Sequence, residues 1–333
     1  MKGWPAHLAA LALTALGLLA ATFFIGRVVP IDPVLAAIGE RAPPEAYRTM
    51  REAFGLDRPV FEQFLRYLWQ VLRLDFGDSI LTARPVARDL LRVFPATFEL
   101  ATVAMLLGIG FGLPLGVAAA FWHGRWPDAL ARGVALLGYS VPVFWLGLMG
   151  LLVFYAGLGW TGGPGRLAIW LEDDLPRVTG LMTVDAVLAG HWAALASALG
   201  HLVLPASVLG LFSAAAIARM TRAALIEQLA QDHVTAARAR GIPEWRVVLR
   251  HGLRPAAAPL VNTVALSYGH LLEGSVLTEI VFAWPGLGLY LTQALLSADM
   301  NAVLGATLLV GVLFIGLNAL SDHLVRRLDA RSR

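Results

Sequence analysis

Three acidic side chains lie inside or beside apolar stretches, where an ionisable group could act on a ligand within a membrane. Glu273 lies deepest, Glu279 lies roughly one to two helical turns further along, and Glu99 closely follows Pro95. A charge inside a membrane span costs free energy, which makes such a residue a candidate for function. For Glu273 two interpretations remain open, contact with a substrate or a hydrogen bond to another subunit. Helix capping explains Glu99, and contact with water near the outer surface explains Glu279.

The chain lacks the residue sets that other kinds of chemistry require. It has no cysteine, which excludes disulfides and thiolate metal sites, and its eight histidines form no HExxH pair. Its one lysine, Lys2, has no P-loop context, so the chain does not supply an ATP site of that kind. No nucleophile–base set indicates an intramembrane hydrolase. We therefore expect no catalytic residues, no metal and no cofactor on this chain.

The composition places these side chains in a membrane protein. Of 333 residues, 58% are hydrophobic and 15% are charged, whereas a soluble domain carries about 25% charged residues. The net charge of +3 is small and indicates no nucleic-acid partner. Because about 20 apolar residues span a bilayer as a helix, the chain is predicted to be an all-α integral membrane protein with about six transmembrane helices. The six apolar runs are residues 8–29, 96–121, 130–157, 201–219, 256–282 and 302–324.

The placement of arginines gives the predicted orientation. Arginines cluster between the second and third runs, in segment 220–255 and after the sixth run, whereas 283–301 contains no lysine or arginine. Because positive residues favour the cytoplasmic side, both termini and segment 220–255 are predicted to be cytoplasmic. Segments 30–95 and 158–200 are predicted to lie outside. Apolar residues at helical spacing over 61–72 predict a short outer helix, either at the membrane surface or against the other loops.

The stretch Asp232–Pro255 is a polar interruption between the fourth and fifth apolar runs. Asp232 is predicted to cap a first helix, Gly241 to end it in the left-handed conformation, and Pro243 to stand in the first turn of a second helix. In the second helix one face is predicted to be apolar and another to carry arginines. The apolar residues are Trp245, Val248, Leu249 and Leu253, and the arginines are Arg246, Arg250 and Arg254.

The first helix of this insert carries small side chains at Ala236, Ala237 and Ala239, which permit close approach by a partner. Amphipathic connectors at membrane surfaces are common as well. The residues alone therefore leave two interpretations open, a connector between two spans or a docking element.

The insert and many other stretches resemble the permease subunits of binding-protein-dependent ABC importers. TAARARG, followed nine residues later by HGLRPAAAP, resembles the EAA loop of that family. Thr235 stands where the loop has its acidic residue, and Pro255 where a helix-compatible polar residue is expected. Other stretches resemble the peptide branch, nearest to the first permease subunit of dipeptide importers. They are DPVLAAIGER (32–41), FGLDRP (54–59), DFGDS (75–79), PATFEL (95–100), GYSVPVFWLG (138–147), TGLMTVDAVLAG (179–190), RMTRAALIEQL (219–229) and LTEIVFAWPGLG (277–288).

The resemblance implies a type I ABC importer transmembrane-domain fold in which residues 1–333 form a single permease domain. Segment 220–255 would then be the cytoplasmic coupling loop, which docks into an ATPase subunit. The coupling residues implied are Asp232, Thr235, Ala236, Ala237, Ala239, Gly241, Pro243 and Arg246. The candidate residues of a translocation path are Glu273, Tyr139 and Ser140.

The resemblance also implies the partners and the place of action. A homologous second permease would complete a heterodimer in the bacterial cytoplasmic membrane, two cytosolic subunits would bind ATP and Mg, and a periplasmic or extracellular solute-binding protein would dock outside. Dipeptides or small oligopeptides are the implied cargo, with glutathione or nickel chelates as alternatives within the family. A secondary transporter is the rival class, although no inverted repeat is visible.

Overall fold

The computed structural model describes residues 4–28, 33–39, 42–53 and 55–328, and the regular elements within these ranges are helices. Two of them, α7 and α11, continue without a break into π-wound turns, over Leu151–Gly157 and Val247–Leu253. The helices are α1 (Trp4–Val28), α2 (Pro33–Ile38), α3 (Pro44–Ala53), α4 (Val60–Leu72), α5 (Val86–Phe121), α6 (Trp126–Ser140), α7 (Val143–Gly150), α8 (Met182–Leu188), α9 (Trp192–Leu229), α10 (Asp232–Ala239), α11 (Glu244–Arg246), α12 (Ala257–Gly274), α13 (Val276–Val281), α14 (Leu287–Leu296) and α15 (Met300–Leu328).

Three helices in the described part of the chain, α5, α9 and α15, are long and apolar enough to cross a membrane. A fourth span is present if α6 and α7, which are bent by 98° at their junction, are counted together. The predicted runs 96–121, 201–219 and 302–324 lie within α5, α9 and α15. The run 8–29 lies mostly in α1, and within the side chains that the structure describes its apolar stretch is Ala12–Phe24.

Two predicted spans are not continuous helices. The run 130–157 is interrupted at Val141 and Pro142, where both residues have extended backbone. Proline lacks the N–H that the helix ladder needs and also disfavours helical conformation in the residue before it. The run 256–282 is divided at Ser275, between α12 and α13. Each of these two predicted runs is therefore divided between two helices.

Helix α9 is much longer than the apolar run that predicted it. Its 38 residues correspond to a length of about 57 Å. Beyond the run it extends into both predicted loops, 158–200 and 220–255, because alanine and leucine dominate these flanks and favour helix. The helix contains Pro205 without a break in its assigned range.

The described chain divides into two compact units. The first comprises residues 1–94 and 286–315. Its core brings the start of α5, through Val86 and Leu90, against α14 and α15. Asp299 fastens a loop in this unit, since its Oδ2 accepts hydrogen bonds from Ser79 Oγ at 2.6 Å and from the Leu81 N–H at 3.2 Å.

The second unit comprises residues 95–285 and 316–333, and its core forms where α5 and α9 pack closely. Glycines on α5 make this approach possible. A Cβ atom at Gly112 would lie 2.6 Å from the carbonyl oxygen of Ala214, and one at Gly116 would lie 2.6 Å from that of Ala218. Small residues at such contacts let two helix backbones meet without a hydrophobic driving force from water.

Candidate functional site

The polar insert forms two short helices joined by a turn at Gly241. Helix α10 begins at Asp232, and Gln231 occupies the N-cap position, so the prediction of Asp232 as the cap was wrong by one residue. The Asp232 carboxylate still lies in the first turn, where it complements the positive end of the helix. Gly241 has a φ of 73°, which confirms the predicted left-handed turn. Pro243 immediately precedes α11 instead of lying within its first turn.

A small apolar cluster holds the two halves of the insert together. Val234 and Ala237 of α10 and Val247 after α11 are buried against one another. Ala237 is therefore part of this inner cluster and is not available to a partner. Val248 packs with Leu225 of α9. The insert is thus packed directly against the C-terminal end of α9.

The predicted apolar face of the second helix was wrong for two residues. Trp245 and Leu249 are exposed, whereas Val247 and Val248 are buried. Leu249 lies in the π-wound turn Val247–Leu253, in which hydrogen bonds span five residues and successive side chains rotate less than in an α-helix. A prediction based on the α-helical period therefore misplaces Leu249, whereas Trp245 lies before this turn.

Besides Trp245 and Leu249, the exposed surface of the insert carries small and polar side chains. An ion pair from Arg238 Nη2 to Glu244 Oε1, at 2.6 Å, links its two helices across the turn. The hydrogen bond from Arg238 holds the pKa of the Glu244 carboxyl below its ordinary value, although partial burial opposes this. The exposed residues that were predicted to couple are Asp232, Thr235, Ala236, Ala239, Gly241, Pro243 and Arg246.

A second ion pair, which was not predicted from the sequence, lies near the end of α9 that leads into the insert. Arg222 donates from Nε to Asp128 Oδ1 at 2.5 Å and from Nη2 to Asp128 Oδ2 at 3.1 Å. Asp128 also accepts the Gly124 N–H at 3.0 Å. A bidentate arginine–carboxylate pair fixes relative orientation as well as distance. The first turn of α6, and through Gly124 the loop before it, is thereby held against the helix that leads into the insert.

At the other end of the second unit, Glu99 and Arg166 form a buried ion pair at 2.6 Å. Glu99 lies well inside α5, so the prediction that helix capping explains it was wrong. Its carboxylate also accepts the Thr183 N–H and hydroxyl at 2.8 and 2.6 Å. Arg166 in turn donates to the Gly180 carbonyl at 2.9 Å. The pair fixes the segment before α9 onto α5.

Glu279 is fully buried, which overturns the expectation that it meets water near the outer surface. Its Oε1 accepts hydrogen bonds from Thr97 Oγ1 at 2.6 Å and from Ser275 Oγ at 2.9 Å. Nearby, Trp284 Nε1 donates to the Ala96 carbonyl at 2.8 Å. These contacts join α13 to the α5 helix. Glu279 therefore belongs to the packed interior of this unit.

Asp185 organises the turn that precedes α8. It accepts from the Thr179 N–H and hydroxyl at 2.7 Å each and from the Gly180 N–H at 3.0 Å. Burial raises the pKa of this carboxyl, but the donated hydrogen bonds outweigh burial and hold the pKa below its ordinary value. Asp185 thus holds the start of the stretch TGLMTVDAVLAG in a hydrogen-bonded turn against α8.

The candidate path residues lie on two elements. Glu273 is exposed on α12, and Ser140 is exposed at the last residue of α6, directly before the break. Tyr139 precedes it in α6, and its side chain lies outside the described residues. Among the residues that the structure describes, no cluster of His, Asp or Glu is placed to hold a metal ion.

Comparison with known proteins identifies the family. The family described as "Binding-protein-dependent transport system inner membrane component" matches residues 112–333, and its N-terminal companion family matches residues 7–101. The chain is 40% identical over 321 residues to the probable D,D-dipeptide transport system permease protein DdpB of Escherichia coli K12, covering 96% of this chain and 94% of that protein. It is also 40% identical over 321 residues to the di/tripeptide transport system permease protein DppB of Pseudomonas aeruginosa, covering 96% and 95%.

A solved structure supports the fold. An inward-facing conformation of the MetNI methionine ABC transporter matches with a TM-score of 0.52 and 21% identity, covering 72% of this chain and 95% of that one. The chain therefore belongs to the family of inner-membrane permease components of binding-protein-dependent ABC transport systems.

Proposed function

We propose that this chain is the permease subunit of an ATP-driven importer and forms half of the translocation path for dipeptides or small oligopeptides across the cytoplasmic membrane. The observation that carries the proposal is the match, over nearly full length, to permeases named for dipeptide and di/tripeptide transport. The residues are consistent with it, since the chain has a single lysine, Lys2, and that residue has no P-loop around it.

Two cytosolic subunits supply ATP and Mg in this proposal, and the insert is the place where they dock. The outward face of α10 presents Thr235, Ala236 and Ala239, whose small side chains allow close contact. Val234 and Ala237 hold the same helix to the rest of the insert, and Leu225 holds the insert to α9. A displacement of α10 is passed to α9 through packed side chains, because such contacts transmit rigid-body movement.

The remaining parts of the proposal concern the two sides of the membrane. Both termini lie in the cytoplasm, and a solute-binding protein docks outside on segments 30–95 and 158–200. A homologous second permease completes the path as a heterodimer. Glu273, Tyr139 and Ser140 are proposed to face that path, supported by the exposure of Glu273 and Ser140 within this chain.

The test replaces Ala236 by tryptophan. Ala236 is exposed, so the larger side chain leaves the fold of the insert unchanged but prevents close docking. We expect normal amounts of the permease in the membrane, loss of the co-purifying ATPase subunit and loss of dipeptide uptake. The matched control is Leu249→Trp, at an exposed position of the same insert that already carries a large side chain.

Normal ATPase binding and uptake by the Ala236→Trp variant would contradict the docking assignment. A separate comparison tests the energy source. Replacing the P-loop lysine of the partner ATPase is expected to stop uptake, whereas continued uptake driven by an ion gradient would favour a secondary transporter.

A further inference from the structure

Helix α4, in the first outer segment, packs against the end of α1. The Thr22 and Tyr67 hydroxyls are 2.9 Å apart, and the rings of Phe23 and Phe64 have centroids 5.2 Å apart. Phe23 lies five residues before the end of α1 at Val28, a rise of about 8 Å. Helix α4 therefore lies level with the last turns of the first span and not beyond its end.

The surface of α4 has three distinct sides. Tyr67 and Phe64 face α1. A second side is polar and carries Glu62, Arg66 and Gln70, all exposed. The third side is apolar and equally open, and at 100° per residue its four members fall within an arc of about 80°. These members are Phe61, Leu65, Trp69 and Leu72, with relative exposures of 72%, 49%, 56% and 76%.

Removing an apolar stripe of this size from water would stabilise the protein. Removing apolar surface from water is favourable in proportion to its area, and four aligned side chains form a continuous apolar surface, unlike the scattered exposure found on every protein surface. The polar side lies next to the stripe, which gives α4 the form of a helix that lies in the plane of an interface. Water on one side and an apolar medium on the other would satisfy both surfaces together.

The depth of α4 identifies that medium. The stripe lies beside the final turns of α1, where Phe24 is 55% exposed. Nearer the start of α1, Leu13 is 71% exposed. These α1 side chains belong to a helix that is apolar between His7 and Arg27. Arg73 stacks over the Trp69 ring at 4.5 Å. Tryptophan and arginine are characteristic of the membrane–water boundary, since each combines an apolar body with a polar group.

We propose that the apolar side of α4 is a lipid-contact surface that inserts into the outer leaflet at the boundary between headgroups and acyl chains. Its occupant is phospholipid, and its polar side faces the outer solution. The sequence left two positions open for this helix, the membrane surface or the other loops, and the geometry favours the membrane surface. The helix then anchors the first outer segment at a fixed height.

The absence of cysteine from the chain makes a direct test possible. Single cysteines at Leu65 and Trp69 are modified with a nitroxide spin label in the full chain, purified with its partner subunits and reconstituted into phosphatidylcholine–phosphatidylglycerol vesicles. Matched controls carry the label at Glu62 and Gln70, on the polar side of the same helix. Power saturation then compares collisions with oxygen, which concentrates in lipid, and with a water-soluble nickel chelate.

We expect labels at Leu65 and Trp69 to collide more with oxygen than with the chelate, and labels at Glu62 and Gln70 to show the reverse. Chelate access at all four positions would overturn the proposal, because the stripe would then lie in water. Low access to both reagents at Leu65 and Trp69 would also overturn it, because a protein surface would then cover the stripe. All four positions are exposed, so the labels leave the packing of α4 on α1 intact.

Discussion

Glu273 and Glu279 are only six residues apart, yet their surroundings are opposite. Glu273 is exposed on α12, whereas Glu279 is fully buried and accepts hydrogen bonds from Thr97 and Ser275. An exposed carboxylate on a helix of a membrane protein is available to a substrate or a partner chain. A buried carboxylate that is hydrogen-bonded on its own chain is part of the packing.

The same substitution at both positions separates these roles. Glu273→Ala is expected to reduce uptake while the protein assembles and melts normally. Glu279→Ala removes a buried acceptor and is expected to cost about 1–3 kcal/mol of stability. Uptake by reconstituted vesicles and thermal melting in detergent measure the two effects. Unchanged uptake by the Glu273→Ala variant would remove this residue from the proposed path.

At the scale of elements, the Glu99–Arg166 ion pair is the main polar contact between α5 and the segment that precedes α9. Both side chains are nearly inaccessible to solvent, at 4% and 7%. Removing one member of a buried pair leaves an uncompensated charge and costs about 3–5 kcal/mol, whereas replacing both members by apolar groups costs much less.

Arg166→Met is therefore expected to lower the melting temperature and to expose segment 158–191 to protease. The double variant Arg166→Met, Glu99→Leu is expected to recover only part of that loss, because the Thr183 N–H and hydroxyl lose their acceptor, and the difference in a double-mutant cycle gives the coupling energy. Arg177→Met, at an exposed arginine of the same segment, is the control. Purely additive losses in the cycle would show that the two side chains do not stabilise each other.

Local features of the sequence were predictable and distant contacts were not. The left-handed turn at Gly241 follows from one residue type, and the helices follow from apolar runs of sufficient length. The two ion pairs join residues separated by 67 and 94 positions, Glu99 with Arg166 and Asp128 with Arg222. Neither residue type nor spacing along the sequence indicates that residues so far apart in the chain are in contact. The buried side of Val247–Leu253 was not predicted, because its π winding departs from the α-helical period on which the prediction was based.

At the scale of the whole molecule, the proposed orientation places four exposed positions on opposite sides of the membrane. Single cysteines at Trp160 and Ser297 are expected to react with a membrane-impermeant maleimide from outside intact spheroplasts. Cysteines at His123 and Arg240 are expected to react only after permeabilisation, since arginine-rich loops stay in the cytoplasm. The native chain has no cysteine, so each label reports one site. Labelling of Arg240→Cys from outside would reverse the proposed orientation.

Both ends of helix α9 are fixed by packing, and this restricts changes in the length of the helix. Ala194 and Ala198, near the start of α9, lie in one apolar cluster. Leu225, near its end, lies in the cluster that holds the insert. Adding or deleting one residue between these contacts would turn one end relative to the other by about 100° and shift it by about 1.5 Å. Leu225 would then point away from Val248. Between Trp192 and Leu229 the number of residues is therefore set by the angle between the two packed ends.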